Sequence, residues 1–240
     1  MRGASPLSWL TAIPDSTGGT ASVTVETLSS GTSLGAITRY FTVTCPASVQ
    51  PTISSVTVTR IDNNVPPSWG IYVKGESQAR VSVTASGIYG STIKSYQISG
   101  AGFSGTSSTL TTGALNTAGT YTFTARVTDS RPGRTDTAVS DAITVYDYAP
   151  PTLSVGDVFR CNADGTRNDG GNYLSVTAGI TVNTLGGRNA GTLSYSIARA
   201  GQSPGSYTGM TPAAAVIIPN VSSNYSYTLY LKVADQIHSC

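Results

Sequence analysis

Charge is scarce in this chain. Only 11% of its 240 residues are charged, against about 25% in an ordinary globular domain. With 12 acids in all, few carboxylate pairs are available for glycoside hydrolysis. Most of them sit among turn residues, as Asp62, Asp129, Asp164 and Asp169 do. The one histidine, His238, stands third from the end, a poor place for an oriented general base. There is no G-x-S-x-G elbow, no Walker loop and no H-E-x-x-H, so the usual nucleophile, phosphate and zinc signatures are missing. These absences exclude the common enzyme classes and leave no cofactor to expect. Cysteine is scarce too. Cys45, Cys161 and Cys240 are odd in number and far apart, which fits neither a metal site nor a disulfide framework. No apolar run approaches the roughly 20 residues that span a bilayer, and MRGASPLSWL lacks a secretory apolar core. A net charge of +2, with no basic cluster longer than Arg131…Arg134, is too weak a footprint for nucleic acid or an anionic membrane. A protein of the bacterial cytoplasm, or one assembled there, is the simplest expectation.

What the chain does have is serine and threonine, 67 residues of 240, with 26 glycines and 13 tyrosines. Threonine and tyrosine suit pleated strands, and serine and glycine suit turns. Period-2 patterns follow. Val81, Val83 and Ala85 alternate with Ser82 and Thr84, and Tyr121, Phe123, Ala125 and Val127 alternate with polar residues. Later come Leu174, Val176, Ala178, Ile180 and Val182, then Leu193, Tyr195 and Ile197, then Tyr227, Leu229, Leu231 and Val233. Such alternation predicts antiparallel strands with one face in a core and one wet. No window of helical period competes with it.

One phrase recurs. TYTFTARVTDS at 120–130 aligns without a gap on SYTLYLKVADQ at 226–236. A repeat at this distance predicts an array of similar domains. Two proline-marked joints, CPASVQPTISS at 45–55 and YAPPTLS at 148–154, divide it. Residues 50–148 and 149–240 are each expected to form an immunoglobulin-like antiparallel β-sandwich. Residues 1–49 are expected to hold the closing strands of a further immunoglobulin-like module: one near Trp9, then Ala21–Leu28 and Ile37–Cys45. Half a sandwich leaves an apolar face and open edges, so this segment should pack against something else. The same holds more weakly at Cys240, where the last sandwich stops at a strand that another should follow.

Four tyrosines have structural positions in this scheme. Tyr96 and Tyr195 fall on the third strands. Tyr121 and Tyr227 open the penultimate strands, where related sandwiches bond a tyrosine hydroxyl back to a corner. Candidate ligand sites are thin. In NADGTRNDGGN, residues 162–172, Asn162, Asp164, Asn168 and Asp169 could offer oxygens to calcium, but the closing bidentate Glu is lacking, and an ordinary turn needs the same residues. For stacking on a sugar, Trp9 and Trp69 are the obvious aromatics. Trp69 shares strand parity with Ile71 and Val73 and so starts a core face, with Tyr72 pointing the other way. Tyr89 and Tyr207 sit beside glycines in expected loops and should be exposed. The sequons at Asn220 and Asn224 carry no meaning in a bacterial host. No ligand-binding, catalytic or metal residue is assigned.

GTYTFTARVTDS resembles the penultimate-strand signature of bacterial immunoglobulin-like, PKD-like and fibronectin-like modules, which implies a fold only. A longer resemblance covers about residues 7–235. PTISSVTVTR, WGIYVKGESQARVSVTASGIYGSTIKSYQIS, ARVTDSRPGRTDT and ITVYDYAPPTLS look like the tandem β-modules of minor structural proteins from siphophages of Gram-positive bacteria. LTAIPDSTGGTASVTVETLSSGTSLGAITRYFTVTCPASVQPTIS is similar to the module preceding them. The resemblance implies a tail-associated virion protein without enzyme activity, a rod-like array near the tail tip or in an appendage, assembled in the host cytoplasm. Other tail proteins and copies of the chain itself are its expected partners. The alternative is a carbohydrate-binding adhesin module that recognises the host cell wall.

Overall fold

Alternating Val, Thr, Ser and Tyr build strands throughout. The computed structural model describes residues 6–61 and 64–238. Asp62 and Cys240, named above, lie outside the described residues. Helix among those described is confined to two short 3-10 turns, Leu7–Ala12 and Pro67–Trp69. The chain divides into two compact units. The first is 1–61, 78–115 and 120–144; the second is 62–77, 116–119 and 145–240.

In the first unit, β1 (Gly18–Ser29) and β2 (Thr32–Thr44) form a two-stranded antiparallel ribbon. A sandwich follows. One sheet has the order β3 (Thr52–Ile61), β5 (Gln78–Ser86), β8 (Thr109–Thr111). The other has the order β11 (Thr135–Val139), β10 (Thr124–Asp129), β6 (Ile93–Gly100), β7 (Phe103–Gly105). The second strand between first and fifth, and the sixth between third and seventh, is the immunoglobulin-like arrangement. Of the residues the alternation marks, Val81, Phe123, Ala125 and Val127 are sealed from solvent, and Ile98 of β6 joins them.

The second unit begins with β4 (Tyr72–Val73), which pairs in parallel with the end of β12 (Ile143–Tyr146). The remaining short strand, β9 (Gly119–Tyr121), precedes β10. The second sandwich sets β13 (Thr152–Cys161), β14 (Tyr173–Thr181) and β17 (Val216–Ile218) against β16 (Thr208–Gly209), β15 (Thr192–Arg199) and β18 (Tyr227–Ala234). The strand order repeats that of the first, without a counterpart of β11 among the described residues. Val176, Ala178, Leu193, Ile218 and Val233 are buried, and Leu174, Ile180, Tyr195, Ile197, Tyr227, Leu229 and Leu231 pack partly against them. The expected all-β, immunoglobulin-like fold is therefore the observed one.

Some details differ from expectation. The strand expected near Trp9 is a 3-10 turn. Pro6 opens it, Pro14 follows it, and no alternating run supports a strand there. Trp69 lies in the second 3-10 turn, after Pro66 and Pro67, and not on a strand. It still packs on a buried cluster of Val65, Ile71, Val73, Tyr148 and Leu185. Tyr121 is half-buried, because the strand breaks at Thr122 and Phe123 before resuming. Phe123 takes the core position instead. Tyr227 packs on the core, but its hydroxyl makes no corner bond among the described residues.

Candidate functional site

The ribbon is the most unusual surface. Its strands are 12 and 13 residues long, about 40 Å at the usual rise per residue. Ser29 pairs with Thr32, leaving Ser30 and Gly31 as a two-residue turn with φ of +47° and +81°. Positive φ at both positions is the hairpin turn whose twist matches its strands. Along the ribbon Ala21 faces Phe41, Val23 faces Arg39 and Val25 faces Ile37. Successive side chains alternate sides, so these six share one face, and Arg39 is its only charge. The other face carries Ser22 with Tyr40, and Thr24 with Thr38, whose hydroxyl oxygens are 2.8 Å apart. Above its lower end, no described residue covers the apolar face. Val25 is 63% exposed and Ile37 60% exposed. Trp9 and Phe41, ring centroids 6.1 Å apart, close its lower end beside a hollow of about 320 Å³ lined by Trp9, Ile13, Ala21 and Val43.

The base of the ribbon is fixed. Leu10, Val43, Cys45 and Val49 form a buried cluster, with Ile13, Ala21, Ile88 and Tyr89 against it. Tyr89, expected to be exposed, is half-buried here because the N-terminal segment lies on it. At the centre is Arg131, fully buried. Its guanidinium donates to the carbonyls of Ile88 at 2.8 Å, Tyr89 at 2.8 Å and Leu10 at 3.2 Å. Asp129, also fully buried, lies 3.9 Å from Arg131 Nη1 and accepts the Arg131 backbone N–H at 2.8 Å. Arg134 donates to the carbonyl of Cys45 at 2.9 Å. Sequence reading saw Arg131…Arg134 only as a weak basic cluster. It cannot show that a buried arginine is spent on backbone carbonyls.

The repeat has a shared device. Asp129 and Asp235 occupy the same position in it. Each closes its strand by accepting a backbone N–H two residues on, from Arg131 and Ile237 respectively. Asp235 also accepts from the His238 N–H, from the Tyr148 hydroxyl at 2.9 Å and from the Asn189 amide at 2.9 Å. Burial alone would raise its carboxyl; the backbone and side-chain donors outweigh that and hold it below the usual range. His238 stacks on Tyr148 and lies 2.8 Å from Glu76 Oε1. For Glu76 burial again pulls upward, and the bonds from His238 and Asn64 win, so it too is lowered. This network fastens residues 235–238 to Glu76, Tyr148 and Asn189 of the same unit. Its hydrogen bonds and stacked pair act as a clasp within that unit.

The 162–172 loop is a turn tied by its own atoms. Asp164 accepts the Thr166 N–H, Asn168 accepts the Gly170 N–H, and Asn168 donates to Asn162. Gly165 takes φ of +85°. Cys45 and Cys161 are buried free thiols. Among the described residues no group of three His, Cys, Asp or Glu is placed to hold a metal ion, and no helix is long and apolar enough to cross a membrane. Tyr207 is exposed as expected, at 42%, with Lys232 Nζ 5.9 Å from its ring centroid. At one end of the same sheet the Arg199 guanidinium lies 3.9 Å over the ring of Tyr225.

Among solved structures, the chain is similar to the three N-terminal domains of the highly immunogenic outer capsid protein of bacteriophage RB49. Identity is 12% over 90% of this chain and 80% of that one, with a TM-score of 0.37. It is also similar to a crystal structure of several titin domains, at 13% identity over 91% of this chain and 70% of that one, with a TM-score of 0.30. No curated protein matches it. The family described as siphovirus protein of unknown function (DUF859) matches residues 4–237, nearly the whole chain, and the chain belongs to that family.

Proposed function

We propose that this siphovirus protein is a structural component of the virion, associated with the tail, that joins copies of itself and other tail proteins through its N-terminal ribbon. The observation that carries this reading is the apolar face of Val23, Val25, Ile37 and Phe41, exposed on a two-stranded ribbon with both edges open. Isolated ribbons of two strands are marginal in water, and exposed apolar patches mark interaction surfaces. A ribbon whose base is locked by Arg131 and whose length is bare is built to be completed by another chain. The absence of a catalytic constellation, the low charge and the duplicated sandwich fit a part that is assembled and does no chemistry.

Sedimentation of the purified chain tests it. The wild type should associate in a concentration-dependent way, and Val25→Ser with Ile37→Ser should shift it to the monomer without lowering the melting temperature of either sandwich. A wild type monomeric at every concentration, and indifferent to the two substitutions in its retention by tail proteins, contradicts the reading.

A second role, contact with carbohydrate of the host wall, is supported by the exposed rings of Tyr207 and Tyr225, each with a cation beside it.

A further inference from the structure

The two sandwiches share a strand order, and one strand of the first has no counterpart in the second. In the first, β11 runs antiparallel along β10 and also lies against β3 of the other sheet. Its Asp136 accepts the Ile53 backbone N–H there at 2.7 Å. β11 therefore shuts the gap between the two sheets. In the second, β18 holds the place of β10, and among the described residues it pairs with β15 alone. Its outer edge is a row of backbone N–H and C=O groups without a neighbouring strand, which natural sheets seldom leave bare.

Burial follows that difference. Phe123, Ala125 and Val127 are sealed from solvent. Leu229 and Leu231, which align with the first two of them in the repeat, are only half-buried, and Val233 alone is fully buried. The first strands differ in the same way. Leu153, Val155 and Val158 of β13 stand opposite Ile180, Ala178 and Val176 of β14. Directly opposed residues share a face of the sheet, so all three point to the side on which Val176 and Ala178 form the core. Yet they are 38%, 56% and 44% exposed. In the first sandwich Ile53, Val56 and Val58 of β3 stand opposite Ala85, Val83 and Val81 and are half-buried. The second sandwich is thus open along one side, a slot with a bare strand edge on one bank and three apolar side chains on the other.

We propose that this slot receives β1 of the N-terminal ribbon from a second copy of the chain, which adds to β18 as an antiparallel strand. The proposal rests on the ribbon as an assembly surface and names what it meets. Strand addition draws affinity from main-chain bonds along an open edge and specificity from alternate side chains in pockets. β1 offers both: its outer edge is unpaired, and Val23 and Val25 are 50% and 63% exposed. Its 12 residues can span the 8 of β18. β2 fits worse, because Arg39 interrupts its apolar side between Ile37 and Phe41. With β1 in the slot, Arg39 falls one strand further out. The receiving side offers it Asp157, at the β13 bulge between Val155 and Val158, whose carboxylate has no partner among the described residues. Donor and slot are different surfaces, so each copy gives and receives, and the contact is head-to-tail.

The test is sedimentation of the full chain and of two variants. Val23→Asp with Val25→Asp spoils the donor, and Val155→Asp spoils the slot. Val23, Val25 and Val155 are all 50% exposed or more, so both variants should melt like the parent. Each should weaken self-association at least about a hundredfold, as an unpaired charge in a closed interface does. Mixed in equal amounts, the two should form a heterodimer and nothing larger, because one intact ribbon then meets one intact slot. In that heterodimer the outer-edge amides of β18 in the donor-spoiled chain should gain protection from hydrogen exchange. If Val155→Asp associates like the parent, or the mixture stays monomeric, the inference falls; loss of association on Val23→Asp with Val25→Asp then still upholds the ribbon's role in assembly. A parent chain that is monomeric at every concentration, or indifferent to the ribbon substitutions, removes both readings. Protection of the same β18 amides in the unassociated chain also overturns the inference, because the slot would then be filled from within one chain.

Discussion

Arg131 does more for this protein than its sequence context suggests. Its guanidinium holds three carbonyls, one of them Leu10 from the N-terminal segment, while Asp129 neutralises it out of solvent. Removing one partner of a buried pair leaves the other charge uncompensated, at a cost of about 3–5 kcal/mol. Arg131→Ala should therefore lower the melting temperature of the first unit sharply and expose the amides of Leu10 and Ile13 to hydrogen exchange. A variant that melts like the parent would show that the N-terminal segment is held by apolar contacts alone. The aromatic residues divide by burial. Phe123→Ala removes a fully buried ring and should cost about 3–5 kcal/mol. Tyr121→Ala, at a half-buried site, should cost clearly less in the same denaturant titration. The repeat drew attention to Tyr121 because it aligns with Tyr227. The strand break at Thr122 and Phe123 decides which ring is deeper, and such a break leaves no trace in an alternating pattern.

At the scale of elements, the strands were legible because each sandwich strand has one wet and one buried side, which is what alternation reports. The same signal misleads at the ribbon. Val23, Val25 and Ile37 alternate as well as any core strand, yet all three are exposed among the described residues. Period-2 patterning reveals that a face is apolar but is blind to what lies on it. The prolines around Trp9 and Trp69 were visible, and their consequence, 3-10 turns in place of strands, follows from proline's missing N–H. The Tyr148–Asp235–His238–Glu76 clasp was not legible, since its members are up to 162 residues apart. It makes a prediction about acid. Glu76 and Asp235 both ionise more readily in the folded chain than at their ordinary values of 4.5 and 3.8. Their contribution to stability is present in full above that range and is lost as pH falls through the lowered values, because protons then bind the unfolded chain preferentially. Amide exchange at Ile237 and His238 should be slow at pH 6 and rise steeply below about pH 4 relative to the sandwich cores. Equal acceleration in the cores would mean that the clasp contributes nothing of its own.

At the scale of the whole molecule, the account is one of a duplicated scaffold with an apolar ribbon in the first unit and exposed tyrosines beside cations in the second. Fold class was readable from composition and period. The exposure of Tyr207 was readable too, whereas the stacking of Arg199 on Tyr225 shows only in the fold. The central claim is that the ribbon is an assembly surface of a virion protein. Electron cryomicroscopy of siphovirus particles that contain this chain, beside particles lacking it, tests that claim most directly. The account predicts density for the chain on the tail, with the Val25 and Ile37 face of each ribbon buried against a second copy or a neighbouring tail protein. Particles without this chain, or a ribbon standing free in solvent on the assembled tail, would contradict it.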